Sequence, residues 1–122
     1  MNFGRKTFEH GYLIIDINQS AKRIMITWRG VSEARDPASF LTAILDELVT
    51  ATQGRSVEVD FRSLEFMNSS TLALVMIFIK SLNAHTIPTV LLFDVSVDWQ
   101  RINYQCMKII SRSLKSLQVE AV

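Results

Sequence analysis

Cysteine is almost missing from this chain: Cys106 stands alone. No intramolecular disulfide can hold the fold, and the usage fits a reducing, cytoplasmic setting. Histidine is equally scarce, and His10 and His85 stand too far apart in sequence to suggest a metal site. No excess of charge of either sign is present. Thirteen Lys and Arg balance 12 Asp and Glu to a net +1, which argues against nucleic acid or an anionic membrane as a partner. Long apolar runs are missing too. The longest, Leu72 to Ile79, meets Lys80 far short of the ~20 residues that span a bilayer. Met1 to Lys6 is followed by no apolar stretch of the kind a targeting signal carries. No repeat, low-complexity tract or Gly-rich phosphate loop interrupts the sequence.

What remains is an ordinary globular composition, 48% hydrophobic and 20% charged over 122 residues, enough for one domain with a real core. Residues 1–10 carry little pattern and read as a partly ordered lead-in to a domain over 11–122. Tyr12 to Ile17 and Arg23 to Trp28 read as strands joined by the polar turn Asn18 to Ala21. Ile24, Ile26 and Trp28 share one face of the second strand, as in a sheet covered mainly on one side, and Gly30 is expected to end it.

Asp36-Pro37 marks a helix start, with Asp as cap and Pro in the first turn. Phe40, Leu41, Ile44, Leu45, Leu48 and Val49 follow with helical period, and Gly54 closes the segment. Val57, Val59 and Phe61 then predict a short strand ending near Asp60. A second helix, about Ser69 to Asn83, is apolar nearly all round and should be buried on most sides. Ile87 to Phe93 reads as a central parallel strand ending at Asp94. Ser96 or Asp98 is expected to cap a third helix that turns Ile102, Cys106, Ile109 and Ile110 inward, and Leu117, Val119 and Ala121 alternate as a last strand. Strand and helix alternate, so the fold class is α/β, with right-handed crossovers and helices packed on the sheet.

The segment between Asp60 and Leu72 holds the candidate site. Asn68, Ser69, Ser70 and Thr71 stand directly before an apolar helical run. Short polar side chains there accept hydrogen bonds from the first backbone N–H groups, and the same place receives a phosphate well. Simple capping and a phosphorylation switch are both compatible with this spacing. In parallel crossover units the loops after the strands gather at one sheet edge, which should bring Asp60, Asp94, Ser96 and Trp99 beside Ser69 and Ser70. Trp99 is either an anchor for a partner or a ring packed over the third helix.

The run Asp60-Phe61-x-x-Leu64-x-Phe66-Met67-Asn68-Ser69-Ser70-Thr71-Leu72 resembles the signature of the STAS domain, the fold of bacterial anti-sigma-factor antagonists. The commoner form of that signature has Asp where Asn68 stands, and Gly where Thr71 and Ala73 stand. This chain is similar to a divergent Asn-Ser-Ser-Thr branch. The resemblance implies a STAS-like mixed sheet of about four to five strands. It implies a non-catalytic regulator that binds a serine kinase of the anti-sigma type and is its substrate, with a serine phosphatase as counterpart. By position the phosphate acceptor is Ser69, with Ser70 and Thr71 as alternatives, and Asp60, Asn68, Asp94, Ser96 and Trp99 fall on the partner-binding side. The segment Val31 to Asp36 takes the place of a kinase-contacting loop in that family, and reads equally as a solvated connector. No cofactor is implied, and a homodimer is compatible with the reading.

Rival readings fare worse on the residues. A hydrolase would need a base near Ser69, yet no His or Lys is placed for it and no nucleophile elbow exists. A phosphoaspartate receiver would place its acceptor at Asp60 but lacks the acidic pair that holds magnesium. The surviving alternative is an unphosphorylated STAS module that binds a small anion or nucleotide at the same helix N-terminus, or assembles with other subunits.

Overall fold

A computed structural model describes residues 4–122. Six strands form one mixed sheet in sequence order, β1 (Arg5–His10), β2 (Leu13–Gln19), β3 (Arg23–Ser32), β4 (Ser56–Met67), β5 (Thr89–Phe93) and β6 (Leu117–Ala121). The first three are antiparallel neighbours and the last three join in parallel. Helices α1 (Ala38–Ala51), α2 (Ser69–Ala84) and α3 (Asp98–Ser111) make the three parallel crossovers. Each crossover steps the same way across the sheet, so right-handed connections put all three helices on one face.

The registers explain where the core sits. Ile17, Ile26, Val59, Leu91 and Val119 lie in one row across β2 to β6, and Ile24, Val57, Thr89 and Leu117 lie in the row beside it. All are buried against Leu41, Leu45 and Leu48 of α1 and Val75, Phe78, Ile79 and Leu82 of α2. The opposite face carries Asp16, Met25, Arg29, Glu58 and Asp60 and is open over much of its area, held by ion pairs such as Arg23–Glu58 at 2.6 Å and Arg29–Asp16 at 2.7 Å. Alternation of apolar and polar residues along β2, β3 and the first half of β4 is the sequence expression of this one-sided cover.

Several expectations are corrected. Residues 5–10 of the lead-in form β1, joined to β2 through Gly11 (φ 60°), the first central residue of a two-residue hairpin turn; residues 1–3 lie outside the described residues. Among the described residues the sheet therefore has six strands. Gly30 does not end β3, which runs to Ser32. The carbonyl of Tyr12 lies so close over Gly30 that a Cβ there would meet its oxygen at 1.9 Å, and the backbone holds φ 82°. Only glycine fits that approach.

At α1 the cap position is Pro37, not Asp36, and no side chain caps the helix. The carbonyl of Asp36 accepts instead from the Ser39 backbone and hydroxyl. The face of α2 around Ile77 stays open, with that residue 62% exposed, and the helix packs mainly on α1 and the sheet. On α3 the inward residues are Gln100 and Met107, whereas Ile102, Cys106 and Ile109 point outward. Ile110 of the expected inward set is half-buried and packs on the core. The α3 cap is Val97, with Asp98 in the first turn paired to Arg101 at 2.9 Å.

Candidate functional site

Strand β4 does not stop near Asp60. Two extra residues enter it opposite β3, one between the pairs Thr27–Asp60 and Arg29–Ser63 and one between Gly30–Leu64 and Val31–Phe66. These bulges change the burial spacing from two to three, so Phe61, Leu64 and Met67 all turn to the core while Arg62, Ser63, Glu65 and Phe66 face solvent. β3 and β4 therefore run together past the end of β5 and set down the α2 N-terminus beyond it.

There, four residues interlock. Asn68, in extended conformation, is the cap of α2. Its side-chain oxygen accepts from the Thr71 backbone N–H at 2.9 Å and the Thr71 hydroxyl at 2.7 Å. Its amide donates to the carbonyl of Ala34 at 2.9 Å, tying the β3–α1 loop to the helix. The Asn68 backbone N–H donates to the Ser32 carbonyl, and the hydroxyls of Ser32 and Thr71 lie 2.7 Å apart in a buried pair. Thr71 is completely enclosed. Ser69 and Ser70 are different. Both are exposed, and neither hydroxyl bonds to another described residue. Their backbone N–H groups belong to the helix positions that no intrahelical carbonyl can reach. Of the three candidate acceptors, two stand in solvent and one is structural.

The expected gathering at one edge is partial. Asp60 lies in mid-strand opposite Leu92, and the extended chain from it to Asn68 covers roughly 20 Å. Its carboxylate takes hydrogen bonds from the Arg62 backbone and from Nε and Nη2 of the same guanidinium, at 2.8–3.0 Å. Burial pushes the Asp60 carboxyl up, but the Arg62 hydrogen bonds and charge outweigh it, and the group is held below its ordinary range. Arg62 also acts on Asp94. That carboxylate is lowered first by the hydrogen bonds it accepts from the Ser96 hydroxyl (2.6 Å) and backbone (3.0 Å), then by the Arg62 charge. Asp60, Arg62, Asp94 and Ser96 thus form one electrostatic cluster beside the end of β5. Asn68, Ser69 and Ser70 form a second, further along β4. Trp99 is half-buried and packs on the core with its indole N–H enclosed, so its ring covers α3 and the sheet and does not stand free.

Sequence reading missed Gln100, which is fully buried. Its Nε2 donates to the carbonyls of Arg62 and Leu64, where β4 has outrun β5, and its Oε1 accepts from the Asp94 backbone at 2.7 Å. One side chain thereby replaces a missing strand neighbour and locks α3 to the extension that presents Asn68. A glutamine on the first turn of an otherwise amphipathic helix gives no signal of this in sequence.

Among the described residues no three His, Cys, Asp or Glu side chains gather to hold a metal, and no helix is long and apolar enough to cross a membrane. Comparison with known proteins finds no family model and no curated protein that matches the chain.

Proposed function

We propose that this chain is a STAS-like regulatory domain, without catalysis of its own, that binds a serine kinase of the anti-sigma type and is switched by phosphorylation at Ser69 or Ser70, with a serine phosphatase reversing the mark. The observation that carries the reading is the division of labour at α2. Asn68, Thr71 and Ser32 perform the capping among themselves, which leaves two adjacent hydroxyls exposed and unengaged on the first turn. A residue needed only as a cap would have its oxygen occupied.

A phosphate on either serine adds about −1.5 to −2 charges beside the positive end of the helix and the unpartnered N–H groups of that turn, which stabilise it. The fold is kept while the surface changes sign and bulk. A partner fitted to the bare hydroxyl, and presenting Asp or Glu to it, then meets overlap and repulsion. The β3–α1 loop, fixed to Asn68 through Ala34, stands beside this turn and widens the surface available to a kinase. Enclosure of Thr71 argues for Ser69 and Ser70 as the acceptors.

Affinity capture from the native cells tests the partner. Wild-type chain and Ser69→Ala used as bait are expected to retain a serine kinase, and Ser69→Asp to retain several-fold less. Equal recovery with all three baits would set Ser69 aside as the switch.

A further inference from the structure

β1 is an edge strand, and its free side is ordered for a specific neighbour. The Gln19 N–H donates to the Gly4 carbonyl at 3.0 Å, and Gly4 and Gln19 stand opposite each other in the β1–β2 register. Hydrogen-bonded and non-hydrogen-bonded pairs alternate along an antiparallel ladder. Lys6, Phe8 and His10 therefore spend their backbone groups on β2, and Arg5, Thr7 and Glu9 point theirs outward, with no partner among the described residues. The side chains of the same three residues lie on the open face of the sheet, in line with Asn18, Asp16 and Ile14. Natural edges are usually blunted by proline, a bulge or charged side chains, lysine above all. Here the register runs without a shift, the strand has no proline, and Lys6 turns to the helix side, where it approaches Glu47 of α1.

We propose that two copies of this chain associate through β1, antiparallel about a two-fold axis at Thr7, to form one continuous sheet. In that register Arg5 faces Glu9 of the second copy, Thr7 faces Thr7, and Glu9 faces Arg5, so every outward N–H and carbonyl of the strand finds a partner. The charges match as well as the backbone. Arg5 and Glu9 form no ion pair with another described residue, and the two-fold makes one between copies at each end of the strand. On the helix side the same register lays the Lys6 stem along Phe8 of the other copy. A slip by one residue would set outward backbone groups against inward ones. A slip by two would oppose Lys6 to Lys6, or leave Arg5 facing Gly11. One arrangement satisfies both backbone and charge. The edge is short, so the association is weak and concentration-dependent. It is independent of the phosphorylation reading.

Sedimentation across a concentration series up to about 1 mM tests the proposal. The mass should rise from the 13.9 kDa of one chain towards twice that value. Thr7→Pro removes an N–H that β2 does not use and is compatible with an edge position, so it should leave a folded monomer. Glu9→Arg should weaken association roughly tenfold by setting like charges opposite each other, and the double swap Arg5→Glu with Glu9→Arg should restore it. A wild-type chain that stays monomeric throughout overturns the proposal. So does a dimer that is indifferent to Thr7→Pro, or one that the double swap fails to restore.

Discussion

The hydroxyls of Ser32 and Thr71 lie 2.7 Å apart, both buried, and join the last residue of β3 to the first turn of α2. Neither has water to fall back on. Removing the Thr71 hydroxyl strands that of Ser32 and takes a hydrogen bond from Asn68 Oδ1, whereas removing the Ser32 hydroxyl leaves Thr71 still donating to Asn68. Thr71→Val should therefore cost about 1–3 kcal/mol in urea unfolding and Ser32→Ala less, and the double variant should cost less than the sum. Strict additivity would mean that the two hydroxyls do not depend on each other.

Gln100 is expected to matter more than any exposed residue of α3. Gln100→Met keeps the volume but leaves the Asp94 N–H and the carbonyls of Arg62 and Leu64 without their partner. We expect a loss of about 2–4 kcal/mol, together with faster amide exchange at Asp94 and along residues 62–67. An unchanged unfolding midpoint would show that water satisfies these groups equally well.

Acid should act through Asp60. Its folded carboxyl lies below the ordinary value of 3.8, since Arg62 outweighs burial. The unfolded chain therefore takes up its proton first as pH falls. The stability this group contributes is complete above that ordinary value and is lost as pH drops through the lower, folded value. Asp16 and Asp94 are lowered as well and act in the same sense. Wild type should lose stability below about pH 4, and Asp60→Asn should show a shallower loss over the same interval. Parallel curves for the two proteins would remove Asp60 from the acid transition.

Much of this arrangement can be read from the sequence, because one-sided burial writes itself as alternation. Ile24, Ile26 and Trp28, the heptad-like run from Phe40 to Val49, and the polar cluster before Leu72 predict β3, α1 and the α2 start close to where they occur. The misses have physical causes. β1 is a charged edge with one half-buried side chain, Phe8, and so leaves no alternation to detect. The two bulges in β4 break the period of two at Arg62 and Glu65, which hides the strand's second half and misplaces Asp60 at its end. On α3 the inward face is chosen by the hydrogen bonds of Gln100. Apolar content alone points to Ile102, Cys106 and Ile109, which stand outside. At the site itself Asn68 to Thr71 are correctly placed on a helix N-terminus, but only the geometry separates the enclosed Thr71 from the exposed serines.

A reversible phosphate on the first turn of α2 is open to peptide mass spectrometry of the chain isolated from its own cells, with phosphatase-treated material alongside. One added phosphate is expected on a peptide containing Ser69 and Ser70, assigned by fragmentation to one of these serines, lost on phosphatase treatment and absent from Thr71. Persistent absence of phosphate while serine kinases in the same cells are active would contradict it, as would a phosphate confined to a residue away from this turn.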